Sequence, residues 1–135
     1  GQKDAQQVEV LKRMVKDLFF DLKLVVVPIV REESGLARSS RNTYLSGKQK
    51  AAAVILSQAL NEAMDLYAQG TTSVSKLIDF TRNRIQSEPL AQIEYVECYG
   101  LPGLYELDGE LKTPALLAVA VRFGTTRLID NIILE

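Results

Sequence analysis

The sequence predicts the end of an α/β domain followed by a separate α+β domain, with the boundary near Val30. Three patterns predict this order. A helical spacing of apolar residues leads into one short apolar run, then two segments carry helix caps, and the last third alternates β-branched runs with turn residues. A helix that feeds a buried strand is typical of a parallel sheet, whereas helices followed by a group of strands are typical of an α+β domain.

Composition limits the function classes. The 135 residues are 47% hydrophobic, which is enough for one ordinary core. The net charge is -1, from 16 basic and 17 acidic residues, so a general nucleic-acid binder is not expected. The single cysteine, Cys98, excludes an internal disulfide, and the lack of histidine removes the commonest general base and zinc ligand. This cysteine content favours a cytoplasmic protein. The apolar runs are also shorter than the ~20 residues of a membrane span.

The first predicted element is a helix over residues 5–20. Asp4 is a suitable N-cap, and Gln7 stands where its amide can reach back to that cap. Residues 22–30 form an apolar run rich in β-branched side chains, which predicts a strand buried on both faces. Because one helix and one strand cannot form a sheet alone, and the chain begins without methionine, we expect a piece of a longer protein.

The second part begins with a predicted loop over residues 31–45. Ser46 and Gln49 then form a capping-box pattern before a long alanine-rich helix that Gly70 ends. The remaining predicted elements are a helix over residues 74–86 with Ser73 as its cap, and strands over residues 93–99, 115–123 and 126–133.

Two segments could bind an anion. In the predicted loop, Gly35 precedes Arg38 to Arg41, where two hydroxyls and two guanidinium groups could donate to phosphate oxygens. Residues 1–4 precede the first predicted helix, whose N–H groups and positive dipole end attract anions. Each segment also has a structural interpretation without a ligand. The loop segment could be a solvated turn, and residues 1–4 could simply cap the first helix.

Other polar residues give weaker signals. Adjacent Glu32 and Glu33 are interpreted as solubilising side chains, and Cys98 as a small buried hydrophobic residue. Arg127 and Asp130 could form a structural ion pair.

Taken together, three segments resemble the pantothenate synthetase (pantoate-β-alanine ligase) family. They are Gly1-Gln-Lys-Asp-Ala-Gln-Gln7, the stretch from Arg31 to Ser46, and Thr126-Arg-Leu-Ile-Asp-Asn131. Their order and spacing agree with that family along all 135 residues.

The resemblance implies a fold and a reaction. Residues 1–30 would be the α/β tail of a Rossmann-like nucleotidyltransferase domain, and residues 31–135 an α+β lid domain with helices on a small antiparallel sheet. The reaction would be a magnesium-dependent ligation in which ATP and pantoate form pantoyl adenylate and β-alanine then gives pantothenate and AMP. The parent would be a homodimer through its N-terminal domain, with no nucleic-acid or membrane partner.

The resemblance also implies roles for particular residues. ATP would be bound by Gly1, Gln2, Lys3, Asp4, Val30, Arg38, Ser39, Ser40 and Arg41, with Val30 contacting adenine through its backbone. Lys3, Ser39, Ser40 and Arg41 would contact the phosphates in the transition state, and Gln7 would bind pantoate. No acid, base or metal ligand is assigned.

The family's His-x-Gly-His motif is absent from this chain. We therefore expect the chain alone to lack full activity. A free-standing nucleotide-binding or interaction module, and a structural α+β domain without a ligand, are the alternatives. An upstream reading frame with that motif would favour the ligase.

Overall fold

The structure, a computed structural model, describes residues 5, 31, 32, 34–37, 41, 44–107 and 109–135. Ala5 is helical, and the rest of the predicted helix over residues 5–20 and the predicted strand over residues 22–30 lie outside this part. The described elements are helices α1 (Gly47–Ala53), α2 (Ile55–Ala68) and α3 (Val74–Gln86), and strands β1 (Ala91–Gly100), β2 (Tyr105–Glu106), β3 (Ala115–Phe123) and β4 (Thr126–Leu134).

The strands form one antiparallel sheet in the order β2-β1-β3-β4. The expected small antiparallel sheet with helices is therefore confirmed. Strand β3 matches its predicted range, and β1 and β4 extend beyond theirs by three residues and one residue. Apolar β-branched runs bounded by turn residues predicted these ranges well because each strand begins or ends at a glycine, a proline or a turn.

The predicted long helix after Ser46 is divided in two at Val54. This residue keeps right-handed helical angles (φ -59°, ψ -23°), so the chain continues in a helical turn between α1 and α2. The prediction of one unbroken helix was wrong in this detail. Val54 suits the apolar spacing of the helix, so periodicity gives no sign of the break, although a β-branched side chain is a poor helix former.

The ends of these helices follow the predicted caps. Ser46 Oγ accepts from Gln49 N at 3.1 Å, and Gln49 Oε1 accepts from Ser46 N at 3.0 Å, which completes the capping box. At the end of α2, Gly70 has φ +109°, and Thr71 N donates to Leu66 O at 3.0 Å. This left-handed glycine closes a Schellman motif.

Helix α3 spans the predicted range, with Ser73 Oγ accepting from Lys76 N. Its fully buried side chains are Leu77, Thr81 and Ile85, at the spacing of one helix face. Thr81 fits into this apolar face because its hydroxyl donates to Leu77 O at 2.8 Å.

The core lies between the helices and one face of the sheet. Helix α3 packs on β1, and α2 packs on α3 and β4. Strand β3 supplies the centre of this core through Leu117, Val119, Val121 and Phe123. Its Leu116, Ala118 and Ala120 point to the other face and are also buried, so the central strand is enclosed on both sides.

Candidate functional site

Arg41 is the one predicted phosphate-binding residue that lies within the described part of the chain. The other predicted site residues lie outside it: Gly1, Gln2, Lys3, Asp4, Gln7, Val30, Arg38, Ser39 and Ser40. The candidate site therefore consists of the described residues that precede and follow Arg41, and of the sheet they contact.

A tight turn precedes Arg41. Arg31 and Ala37 form an isolated antiparallel bridge, and Gly35 N donates to Glu32 O at 2.9 Å. Gly35 has φ +94°, a conformation that side chains with a Cβ rarely adopt. The predicted loop thus contains a closed turn that ends four residues before Arg41.

This turn is joined to β4 by a bidentate ion pair. Arg31 Nη1 lies 2.8 Å from Asp130 Oδ2, and Nη2 lies 3.0 Å from Oδ1. The Asp130 side chain is 2% exposed and that of Arg31 is 32% exposed. Nη1 also donates to Gly35 O at 3.1 Å, and Asp130 Oδ1 accepts from Asn131 N at 2.8 Å. The carboxylate is thus buried with charged and neutral donors around it.

The predicted ion pair between Arg127 and Asp130 was wrong. The two residues are three apart in a strand, and side chains at odd separations point to opposite faces of the sheet. Asp130 lies on the helix side with Leu128, and Arg127 lies on the other side.

On that other side, two arginines bind one carboxylate. Arg122 Nη2 lies 2.7 Å from Glu94 Oε1, and Arg127 Nε lies 2.5 Å from Glu94 Oε2. The guanidinium of Arg127 also lies 5.9 Å from the centre of the Tyr95 ring. Hydrogen bonds from Arg127 and Arg122 hold the pKa of Glu94 below its usual value, whereas burial raises the pKa of Tyr95.

Arg41 itself contacts the backbone of the same strand. Its Nη1 donates to Arg127 O at 3.3 Å on the surface. Strands β3 and β4 are joined by a two-residue hairpin loop, and Arg127 is opposite Arg122, one pair beyond the closing pair. Because hydrogen-bonded and non-hydrogen-bonded pairs alternate, the carbonyl of Arg127 points to the outer edge of the sheet.

The hairpin loop contacts the start of α1. Gly124 has φ +64°, and a Cβ added there would lie 2.7 Å from Gln49 Nε2. A glycine at the first loop position suits the type II′ turn of a two-residue hairpin. The side chain that completes the capping box of α1 is thereby packed against the turn between β3 and β4.

The weaker candidates from the sequence, Cys98 and Glu32, lie in surroundings that suit a structural role. Cys98 is buried, and burial raises its pKa to about 11, which agrees with its interpretation as a small hydrophobic residue. Glu32 is half-buried, with Oε2 3.5 Å from Lys50 Nζ. Glu33 lies outside the described residues.

The described residues show neither a metal site nor a membrane-spanning helix. These residues contain no group of three or more histidine, cysteine or acidic side chains placed to hold a metal ion. None of their helices has the length and apolar character needed to cross a membrane.

Comparison with known proteins shows the family to which the chain is similar. The sequence model of pantoate-beta-alanine ligase matches residues 1–133. The chain belongs to the pantoate-beta-alanine ligase family. It is 52% identical to pantothenate synthetase from Acetivibrio thermocellus over 135 residues, which are all of this chain and 48% of that protein. It is also 52% identical to the pantothenate synthetase of Pelotomaculum thermopropionicum, over 99% of this chain and 47% of that protein.

Solved structures of the ligase family agree with the fold. The pantothenate synthetase of Thermus thermophilus is 38% identical, with a TM-score of 0.88 over 98% of this chain and 47% of that chain. The pantoate-beta-alanine ligase of Francisella tularensis, crystallised with beta-gamma ATP and beta-alanine, is 27% identical, with a TM-score of 0.61 over 98% of this chain and 41% of that chain. The chain spans about half the length of the relatives it matches.

Sequence reasoning expected an ion pair for Asp130 but missed that Arg31 is its partner, and it missed Glu94. One signal for Asp130 was available, because an acidic residue shares its strand face with the apolar Leu128 and Ile132. Carboxylates are rarely buried unless they are paired, so an acidic residue on an apolar face indicates a buried partner. The identity of that partner could not be read from the sequence, since Arg31 is 99 residues away.

Proposed function

We propose that this chain is the C-terminal part of an ATP-dependent ligase that condenses pantoate and β-alanine to pantothenate. The observation that carries the proposal is the family match over residues 1–133, together with identities near half to pantothenate synthetases across the whole chain. Residues 1–30 belong to a Rossmann-like catalytic domain, and residues 31–135 form the lid domain.

The proposed reaction has two steps. The carboxylate of pantoate attacks the α-phosphorus of ATP, which forms pantoyl adenylate and releases pyrophosphate. The amine of β-alanine then attacks the acyl carbon, the acyl–phosphate bond breaks, AMP leaves and the nitrogen loses a proton. The relative from Francisella tularensis was crystallised with an ATP compound and beta-alanine, which supports these substrate classes.

The proposed role of this chain is to hold the phosphates. Arg41 offers a charged fork to phosphate oxygens as negative charge develops on the departing pyrophosphate. Its hydrogen bond to Arg127 O is long and lies at the surface, so it can be exchanged for a charge-assisted bond to phosphate.

The remaining assignments follow the family resemblance. Lys3, Ser39 and Ser40 contact the phosphates, and Gln7 binds pantoate. The other ATP contacts are Gly1, Gln2, Asp4, Val30 and Arg38. Mg²⁺ enters with ATP, held largely by phosphate oxygens and water, and we assign it no ligand from the described residues.

The proposal extends to the parent protein. The parent is cytoplasmic and dimerises through its N-terminal domain, and neither nucleic acid nor a membrane is a partner. The chain alone is inactive, because the His-x-Gly-His motif of the family is missing from it. A non-catalytic nucleotide-binding or interaction module is the competing function, and a native start codon immediately upstream of Gly1 would favour it.

The test is pantoate-dependent exchange of pyrophosphate into ATP, measured on this chain and on the chain extended upstream. We expect exchange only in the extended protein. There, Arg41→Ala should slow adenylation about 100-fold, in the range seen when one charge-stabilising donor is removed. Absence of exchange in the extended protein would reject the ligase assignment, and an Arg41→Ala variant as fast as its parent would reject the role of Arg41.

A further inference from the structure

Three residues within or beside the proposed phosphate-binding segment, residues 38–41, contact β4 or its hairpin turn. These contacts, called attachment points below, are the ion pair of Arg31 with Asp130, the hydrogen bond of Arg41 to Arg127 O, and the packing of Gln49 against Gly124. Residues 31, 41 and 49 contact residues 130, 127 and 124, in that order. These three described residues therefore lie along the edge strand β4 in an order antiparallel to the strand.

Arg41 lies close in sequence to the first of these points. Arg31 and Ala37 are joined by an antiparallel bridge, so the ion pair of Arg31 with Asp130 attaches a closed turn to β4, and the last residue of that turn is four residues before Arg41. Because four residues can span at most about 14 Å, the place of this turn on β4 limits where Arg41 can lie.

The attachment points differ in strength. The pair of Arg31 with Asp130 has two charge-assisted bonds and a carboxylate that is 2% exposed. The bond from Arg41 to Arg127 O is a contact to a neutral acceptor at the surface, 3.3 Å long. Charge-assisted bidentate pairs are the stronger class, so the first point can persist while Arg41 leaves its carbonyl for a phosphate.

We propose that Arg31 and Asp130 are positioning residues for adenylate formation, which hold the chain before Arg41 so that its guanidinium meets the triphosphate. Neither residue touches the substrate. This inference rests on the proposed function, because it presumes that Arg41 binds phosphate. The inference also explains why an acidic residue, Asp130, stands in the segment from Thr126 to Asn131 that resembles the family.

The test uses the full-length ligase that contains this chain. Adenylate formation is measured by rapid quench, and the second step separately, by adding β-alanine to enzyme that has already formed pantoyl adenylate. The variants are Asp130→Asn, which keeps the shape and removes the charge, Arg31→Lys, Arg41→Ala, and the double variant of Asp130→Asn with Arg41→Ala. The matched control is Glu62→Gln, which removes an ion pair with Arg84 (2.8 Å) between α2 and α3.

Asp130→Asn should slow adenylate formation about 10- to 100-fold, as expected when a reacting group is displaced by about 1 Å. The second step, in which pyrophosphate has already left, should be unchanged. The double variant should be no slower than Arg41→Ala alone, because Asp130 acts through Arg41. Arg31→Lys should be intermediate, since lysine keeps the charge and loses the fork, and Glu62→Gln should match the parent.

Three results would overturn the inference. They are adenylate formation by Asp130→Asn within about twofold of the parent, equal slowing of both steps, and multiplied losses in the double variant. Arg31→Lys decides the question if Asp130→Asn does not fold, because an unchanged rate in that variant also rejects a role for the fork. If Arg41→Ala is itself fast, the proposed phosphate role fails as well, so the two failures can be told apart.

Discussion

Replacing Arg31 by methionine should destabilise the protein much more than replacing Asp130 by asparagine. Arg31→Met leaves a carboxylate that is 2% exposed with its neutral donor Asn131 N but without its charged partner. Stranding a fully buried charge costs about 3–5 kcal/mol. Because Asn131 N remains and the arginine was a third exposed, we expect about 2–3 kcal/mol here.

Asp130→Asn removes the charged partner of Arg31, whose guanidinium keeps its hydrogen bond to Gly35 O and can reach water. The Arg31 side chain is 32% exposed, so its guanidinium can rehydrate, and the expected loss is about 1 kcal/mol. The double variant should lose little more than Asp130→Asn alone, because no buried charge remains. The coupling energy of the cycle is then about 2–3 kcal/mol, nearly the whole loss from Arg31→Met.

The assay is urea unfolding of the 135-residue chain, followed by far-UV circular dichroism. Glu62→Gln serves as the control, because its ion pair with Arg84 joins side chains that are 43% and 34% exposed. Such surface pairs contribute about 0–1 kcal/mol. Equal losses from Arg31→Met and Asp130→Asn, or additive losses in the double variant, would refute the burial argument.

Two further predictions concern the glycines and the cysteine. Gly124→Ala should destabilise the chain by about 1–2 kcal/mol in the same urea assay, because φ is +64° and the added Cβ would lie 2.7 Å from Gln49 Nε2. The control is Gly47→Ala, where an added Cβ would have nothing within 4 Å, and it should be neutral or stabilising. An equal loss of stability in Gly47→Ala would contradict the prediction for Gly124. Burial raises the pKa of Cys98 from 9.0 to about 11, so the unfolded chain binds fewer protons between these values and the stability contribution declines as pH rises through that window. Iodoacetamide at about pH 9 should therefore label the folded chain more slowly than the urea-unfolded chain, and Cys98→Ala should flatten the decline; equal labelling rates would contradict the burial of this thiol.

Local signals in the sequence predicted most of the described fold. The capping box of Ser46 and Gln49, Gly70 and the β-branched runs act over a few residues, so they can be read without knowing what packs against them. The break at Val54 could not be read in this way, since an apolar residue there satisfies the helical pattern on both sides. Likewise, the apolar run of β3 indicated burial but not which neighbours enclose each face.

The candidate site was predictable only in part. Phosphate binding by the Ser- and Arg-containing segment remains a prediction from its residue types and its family resemblance, and of its four residues the structure describes Arg41. The attachment of that segment was not recognisable, because Arg31 and Asp130 meet only after folding. The mistaken pairing of Arg127 with Asp130 was avoidable, since the predicted strand already placed them on opposite faces.

The attachment points along β4 also bear on self-association. The outer edge of a sheet exposes unpaired backbone groups that can recruit a strand from another molecule. One edge here, β2, is only two residues long, and on the other edge Arg127 O accepts from Arg41 while Asn131 N donates to Asp130. Releasing Arg41 would therefore free the carbonyl of Arg127 at the outer edge of this nine-residue strand, so the same bond removes one acceptor with which an incoming strand would pair.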